Sequence, residues 1–179
     1  MKNPELGRSK ATWRDLFALG VLKDAKCILQ QIESAAKNGD DALKWHLWIA
    51  FIVSYSKPFT ANGDMGRISD GLIPQVFSDL HTAFIKTRDK LYAHTDPLES
   101  LDDGAQANQI FVIKAGDTIE IIPHTLRLDD AEIARAMQLI CHIIEGLQKA
   151  TKDGNEHIKT QLKDKPDGPY LFPYPNLTQ

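Results

Sequence analysis

The chain has 179 residues, of which 42% are hydrophobic and 25% are charged, and its formal net charge is −3. This composition excludes a disordered or fibrous protein and suits one globular domain with a sizeable core. The mild negative charge argues against a broad basic face that coats nucleic acid, but it leaves room for a small local phosphate site.

The cysteines and the apolar runs indicate where the protein works. Cys27 and Cys141 lack the spacing of metal ligands, and a single widely separated pair is weak evidence for a disulfide framework, so we expect free buried thiols in a reducing cytoplasm. The N-terminal stretch MKNPELGRSK has no apolar core of the signal-peptide type. The strongest apolar run, residues 47–55, is about half as long as a membrane-spanning helix, so membrane insertion is not expected.

Helical periodicity predicts two helices in the first third of the chain. The first covers residues 12 to about 37, with a break near Gly20 left open, and ends at the helix-stop signal Asn38-Gly39. The second covers residues 42–56, and either Asp40 or Asp41 can cap it. Because the second helix is apolar almost all round, we expect it at the centre of the protein.

Two more helices and one hairpin are predicted downstream. The third helix begins near Pro74 and runs to about His94, shortly before Pro97. Two β-branched runs around a short turn predict a β-hairpin at about residues 109–123. The fourth helix follows a cap at Asp129 and runs to about residue 162, with a break near Gly154 left open.

These elements predict a mainly all-α fold, specifically an antiparallel four-helix up-and-down bundle with one β-hairpin inserted before the last helix. Residues 1–163 form a single domain in this interpretation. Residues 164–179 form an extended tail rich in proline and aromatic residues. We expect the tail to pack on the bundle or on a second subunit, and a proline-rich ligand for another domain is the alternative.

An arginine lies within the apolar stripe of the third helix. At about 100° per residue, Arg88 projects onto the same face as Leu80, His81 and Phe84. A guanidinium keeps its charge at ordinary pH, so it must meet a carboxylate, reach solvent or face a cleft. His94 follows six residues later, where Pro97 bends the chain out of the helix, so both side chains could approach one phosphate.

This segment resembles the HEPN superfamily, which is named for nucleotide-binding proteins of higher eukaryotes and prokaryotes. The family motif is an arginine, usually a polar residue, and a histidine after four to six intervening residues. Arg88, Asp89 and His94 match it, although Asp89 stands where the family frequently has asparagine or histidine. The segments YSKPFT, residues 55–60, and KLYAHTD, residues 90–96, also look like those of small bacterial proteins with such a domain.

The resemblance implies a metal-independent endoribonuclease of the toxin or phage-defence type, in which two copies of the motif form one cleft in a homodimer. His94 would be the base or acid, Arg88 would hold the phosphate and Asp89 would orient the arginine. An RNA substrate and an antitoxin or other protein partner are implied as well. Cleavage by the RNA's own 2′-hydroxyl needs a base and a fixed positive charge, so no metal or cofactor is expected.

Other interpretations compete with this one. Arginine and histidine are common near helix C-termini because they suit the helix dipole, and on spacing alone this explanation is the stronger. A non-catalytic HEPN-like bundle that binds a nucleotide or a partner protein is the alternative function. The six histidines show no HxxxH or HExxH spacing, which makes a metal site improbable, and no glycine-rich phosphate loop occurs. Ser54, Tyr55 and Ser56 could line the same cleft, although a buried tyrosine with one partner is the commoner explanation.

Overall fold

The computed structural model describes residues 10–60, 66–89, 110–116, 118–123 and 130–168. Within these ranges the chain is mainly helical, which confirms the predicted class. The helices are α1 (Lys10–Lys37), α2 (Asp41–Ser56), α3 (Ser78–Thr87), α4 (Asp130–Ala150) and α5 (Lys152–Leu162). Short 3₁₀ turns cover Lys57–Phe59, Asp70–Leu72 and Gln75–Phe77. None of the helices in these ranges has the length and hydropathy to cross a membrane.

The connection between α1 and α2 forms as the sequence predicts. Gly39 has φ +69°, a conformation that suits glycine because it lacks a Cβ atom. The amide of Asp40 donates to the carbonyl of Ala35, and the amide of Gly39 donates to the carbonyl of Ala36, which together close the helix in a Schellman motif. Asp40 then caps α2, since its Oδ1 accepts from the amide of Leu43 at 2.9 Å.

Helix α1 packs against both α2 and α4, and α3 packs against α2. The ammonium of Lys57, just after α2, lies 5.2 Å from the ring centre of Phe17 near the start of α1, so α2 folds back along α1. The sequence predicts α2 at the centre of the protein, but Leu43 and Val53 are 46% and 45% exposed, so part of this helix faces solvent. The main buried side chains of α2 are Trp48, Phe51, Ile52, Tyr55 and Ser56.

Helix α3 begins later than the sequence predicts. It begins at Ser78, after the 3₁₀ turn that follows Pro74, and Val76 in that turn is 69% exposed rather than packed. A wider π-type turn covers residues 88–89, where the described segment ends. The predicted end of the helix at His94 therefore lies outside the described residues, as does Pro97.

The predicted fourth helix is two helices, and the break falls at Thr151 instead of near Gly154. The Thr151 hydroxyl is buried and donates to the carbonyl of Leu147 at 2.8 Å, and its backbone N–H donates to the same carbonyl. Gly154 lies within α5, where a Cβ atom would be 2.7 Å from Cγ2 of Thr12. The glycine therefore allows α5 to approach the start of α1 closely.

Two strands precede α4. Strand β1 (Ile110–Ala115) pairs antiparallel with β2 (Thr118–Pro123), with Ile110 opposite Pro123 and Ala115 opposite Thr118. Most of the predicted C-terminal tail, residues 169–179, lies outside the described residues.

Candidate functional site

Arg88 and Asp89 lie together at the end of α3. Nη1 of Arg88 donates to Oδ1 of Asp89 at 2.6 Å, and the two side chains are 36% and 43% exposed. The sequence required this arginine to meet a carboxylate, reach solvent or face a cleft, and here it does the first two. Such a partly exposed ion pair contributes little to stability, roughly 0 to 1 kcal/mol, so an anion could compete with Asp89 for the guanidinium.

A buried tyrosine joins the end of α2 to α3. The hydroxyl of Tyr55 lies 2.8 Å from Nδ1 of His81, and the tyrosine is fully buried while the histidine is half-buried. The sequence offered the explanation that Tyr55 is a buried tyrosine with one partner, and this contact agrees with it. Burial raises the pKa of Tyr55, with a smaller contribution from Asp70, so the phenol stays neutral at ordinary pH.

The next residue of α2 makes a second polar contact with α3. The Ser56 hydroxyl is fully buried and donates to the carbonyl of Phe84 in a long hydrogen bond of 3.4 Å. The same carbonyl accepts the backbone N–H of Arg88, which also reaches the carbonyl of Ile85. Ser56 and the backbone of Arg88 therefore share one acceptor.

Aromatic rings fill the space between α2 and α3. The ring of Phe84 lies edge-on to Trp48, Phe51 and Tyr55, with ring centres 5.5, 5.3 and 5.1 Å away. Trp48 also stacks on Phe51 at 5.2 Å. Nε1 of Trp48 is buried without a hydrogen-bond partner, a cost that the ring contacts must offset. This aromatic cluster fixes α3 against the last two turns of α2.

The turn after α2 packs against one side of His81. The ring of Phe59 lies edge-on to His81 at 4.7 Å, and the amide of Ile68 donates to the carbonyl of Pro58 at 3.0 Å, which ties residues 66–72 to the turn that holds Phe59. Burial lowers the pKa of His81; Arg67 lowers it further, whereas Asp70 opposes the shift. His81 is therefore neutral near pH 7 and suits a structural hydrogen bond better than a role as a cation.

Only part of the predicted site can be placed. Arg88 and Asp89 are adjacent, whereas His94 lies outside the described residues, so its distance from Arg88 stays a prediction. His81 was placed on the arginine's face by the projection but given no role, and its spacing of seven residues from Arg88 was the available signal. The likeness of YSKPFT to HEPN proteins drew attention to the segment that contains Tyr55, Ser56 and Phe59, but not to their partners.

The structure also bears on the metal and thiol predictions. No group of three or more histidine, cysteine, aspartate or glutamate side chains with metal-binding geometry occurs within the described ranges. Cys27 and Cys141 are free, but Cys27 is exposed, so the expectation that both thiols are buried is wrong.

The chain was compared with protein-family models, with curated proteins and with solved structures, and none of the three comparisons found a match.

Proposed function

We propose that the protein is a HEPN-like, metal-independent endoribonuclease of the toxin or phage-defence type that acts as a cytoplasmic homodimer. The proposal includes the finer fold, an antiparallel four-helix up-and-down bundle with the two strands inserted before the last helical segment. It also includes an RNA substrate and an antitoxin or another protein as a neutralising partner. The residues assigned to catalysis are Arg88, His94 and Asp89.

One observation carries this proposal. The guanidinium of Arg88 stands at the end of α3, one turn beyond the buried ring of Phe84, yet it remains 36% exposed and is held by its sequence neighbour Asp89. An arginine needed only to complete the core would be expected deeper, beside a carboxylate from another element. A partly exposed guanidinium on an anchored backbone suits recognition of a phosphate, which it can contact with two parallel hydrogen bonds.

The proposed chemistry follows from these groups. His94 removes the proton of a 2′-hydroxyl, whose oxygen attacks the adjacent phosphorus, and the 5′-oxygen leaves with a proton from an acid in the cleft. Arg88 stabilises the negative charge that develops on the phosphorane oxygens, and Asp89 orients its guanidinium. The products are a 2′,3′-cyclic phosphate and a free 5′-hydroxyl. In a dimer, the second copy of the motif supplies a further arginine and histidine.

A second candidate is favoured by the ion pair itself. Arg88 already has a carboxylate partner in its own chain, and the protein is mildly acidic, so a non-catalytic module that binds a nucleotide or a partner protein agrees with the same contact. In that case Arg88→Ala would weaken binding of the ligand, but the wild-type protein would cut no RNA.

Substitution at the motif distinguishes the two candidates. Cleavage of single-stranded RNA in the presence of a chelator is measured for the wild type, Arg88→Ala and His94→Ala. Arg135→Ala is the matched control, because Arg135 is likewise partly exposed and pairs with an aspartate, Asp79 at 2.9 Å, at a different place on the surface. We expect the two motif variants to lose on the order of 100-fold or more in rate, as for removal of a charge-stabilising or acid-base group, and the control to remain active.

Mixing tests the shared cleft. If one cleft receives the motif from both subunits, a mixed dimer of Arg88→Ala and His94→Ala retains one arginine and one histidine and regains part of the activity. Each variant alone would remain inactive. No recovery in mixed dimers that have been shown to form would contradict a shared cleft.

A further inference from the structure

Two hydrogen bonds join α2 to successive turns of α3. Tyr55 and Ser56 are consecutive and fully buried, and they bond to the imidazole of His81 and to the carbonyl of Phe84. A buried hydroxyl without a hydrogen-bond partner is destabilising because it has lost its contacts with water. Each of the two bonds therefore favours the observed position of α3 over slightly shifted or rotated positions. Two such contacts define both the rotation of α3 and its position along its own axis.

Arg88 is coupled to these two contacts through α3. In a regular helix, residues seven apart lie within about 20° of each other around the axis and about 10 Å apart along it, so His81 and Arg88 share one face. The carbonyl that receives the Ser56 hydroxyl also receives the backbone N–H of Arg88. A rotation or slide of α3 on α2 therefore moves Arg88 by a similar amount.

The apolar contacts alone define this position less sharply. Ring contacts of Phe84 with the α2 aromatics are broad and can re-form after a small shift, whereas a hydrogen bond weakens steeply outside a narrow range of distance and angle. Phe59 and Phe84 also flank the ring of Tyr55, with ring centres 5.4 and 5.1 Å from that of the tyrosine.

We propose that Tyr55 and His81 are positioning residues, whose hydrogen bond sets the place at which Arg88 presents its guanidinium. Neither side chain touches the phosphate; both act through α3. The catalytic consequence rests on the proposed ribonuclease function, because a phosphate clamp displaced by about 1 Å can lose on the order of 100-fold in rate. The structural consequence, a displaced Arg88, does not rest on that function.

Four single variants test this. Tyr55→Phe deletes the hydroxyl alone, and His81→Leu removes the acceptor. His81→Asn retains an oxygen close to the position of Nδ1, so it can still accept from Tyr55. Thr82→Ala is the control, because it removes a side-chain hydrogen bond from the next residue of α3, between the hydroxyl and the carbonyl of Ser78 at 2.8 Å, without touching α2.

Two readouts are taken for each folded variant. The first is kcat and KM for single-stranded RNA. The second is the NMR signal of the Nε–H group of Arg88, identified by its loss in Arg88→Lys. We expect Tyr55→Phe and His81→Leu to shift the Arg88 signal and to lower kcat by on the order of ten- to 100-fold, with KM little changed. His81→Asn should restore both quantities toward the wild type, and Thr82→Ala should change neither.

The proposal is overturned if Tyr55→Phe folds and leaves the Arg88 signal unchanged, or if His81→Asn is as impaired as His81→Leu. If either His81 variant fails to fold, the Arg88 signal and kcat are compared between the wild type, Tyr55→Phe and Ser56→Ala, and both variants should differ from the wild type. If the wild type cuts no RNA, the ribonuclease proposal fails, but the NMR signal still decides whether Tyr55 and His81 position Arg88.

Discussion

The hydroxyl of Tyr55 and Nδ1 of His81 lie 2.8 Å apart, in a hydrogen bond that spans 26 residues of sequence and joins the last turn of α2 to the first turns of α3. Arg88 directly follows α3, seven residues beyond His81, a spacing that in a regular helix places both residues on one face. The contact therefore connects the aromatic cluster to the arginine for which we propose a function.

Removal of the Tyr55 hydroxyl should destabilise the protein measurably. Tyr55→Phe keeps the ring contacts but leaves Nδ1 of His81 without its buried partner, so we expect the free energy of unfolding to fall by about 1 to 2 kcal/mol. Urea unfolding followed by circular dichroism measures this change. Thr82→Ala, which removes an exposed hydroxyl, should lie within about 0.5 kcal/mol of the wild type. Equal stabilities for Tyr55→Phe and the wild type would show that the hydrogen bond is not maintained in solution.

Stability should decline at mildly acidic pH through His81. Burial beside Tyr55, with Arg67 nearby and Asp70 opposing, lowers the pKa of His81 below its ordinary value of 6.5. The unfolded chain then binds more protons between the two pKa values, so the contribution of His81 is fully present above pH 6.5 and decreases as the pH falls below it. His81→Asn does not titrate, so its free energy of unfolding should fall less steeply over the same interval. If the free energy of unfolding of His81→Asn and of the wild type fell equally with pH, His81 would not be the group responsible for the decline.

The aromatic cluster should account for a large share of the stability of α3. Phe84 is 2% exposed and contacts three aromatic rings of α2, so Phe84→Ala should cost about 3 to 5 kcal/mol by loss of burial and creation of a cavity. Val53→Ala is the control on α2, because Val53 is 45% exposed and its loss should change stability by less than about 0.5 kcal/mol. Chemical denaturation of both variants tests the difference, and a similar cost at both positions would mean that α2 and α3 pack differently.

Substitution of Asp89 should separate binding of RNA from catalysis. Asp89→Asn retains an oxygen that can accept from Arg88 but removes a negative charge next to the proposed phosphate site, so we expect tighter RNA binding and retained kcat. Asp89→Ala removes the acceptor as well and should lower kcat through loss of orientation. Fluorescence anisotropy with a labelled RNA and single-turnover kinetics provide the two quantities. Weaker binding by Asp89→Asn would indicate that the carboxylate does not compete with phosphate.

The sequence predicted those features that depend on neighbouring residues. The glycine stop at Gly39 and the cap at Asp40 need only local chemistry, and both form as predicted. The break between α4 and α5 was misplaced because a glycine is the usual helix-breaking signal. In the folded chain Gly154 stays helical within α5, where it lies close to Thr12, and the interruption falls three residues earlier, at Thr151.

The sequence singled out Arg88 but not the contacts around it. Helical spacing predicts Arg88 on the packing face of the third helix, and in the structure its side chain is 36% exposed at the end of α3. The bond between Tyr55 and His81 depends on how α3 packs against α2 across 26 residues of sequence, which periodicity does not specify. The exposure of Leu43 and Val53 escaped prediction for the same reason, because it depends on which neighbours cover α2.

The most direct test of the proposed function is the chemical structure of the cut RNA end. A single-stranded RNA is incubated with the purified wild-type protein in excess chelator, and the products are examined by mass spectrometry. We predict fragments that end in a 2′,3′-cyclic phosphate, formed by the wild type and by Arg135→Ala but not by Arg88→Ala. Intact RNA with the wild type, or the same fragments from Arg88→Ala, would contradict the proposed function.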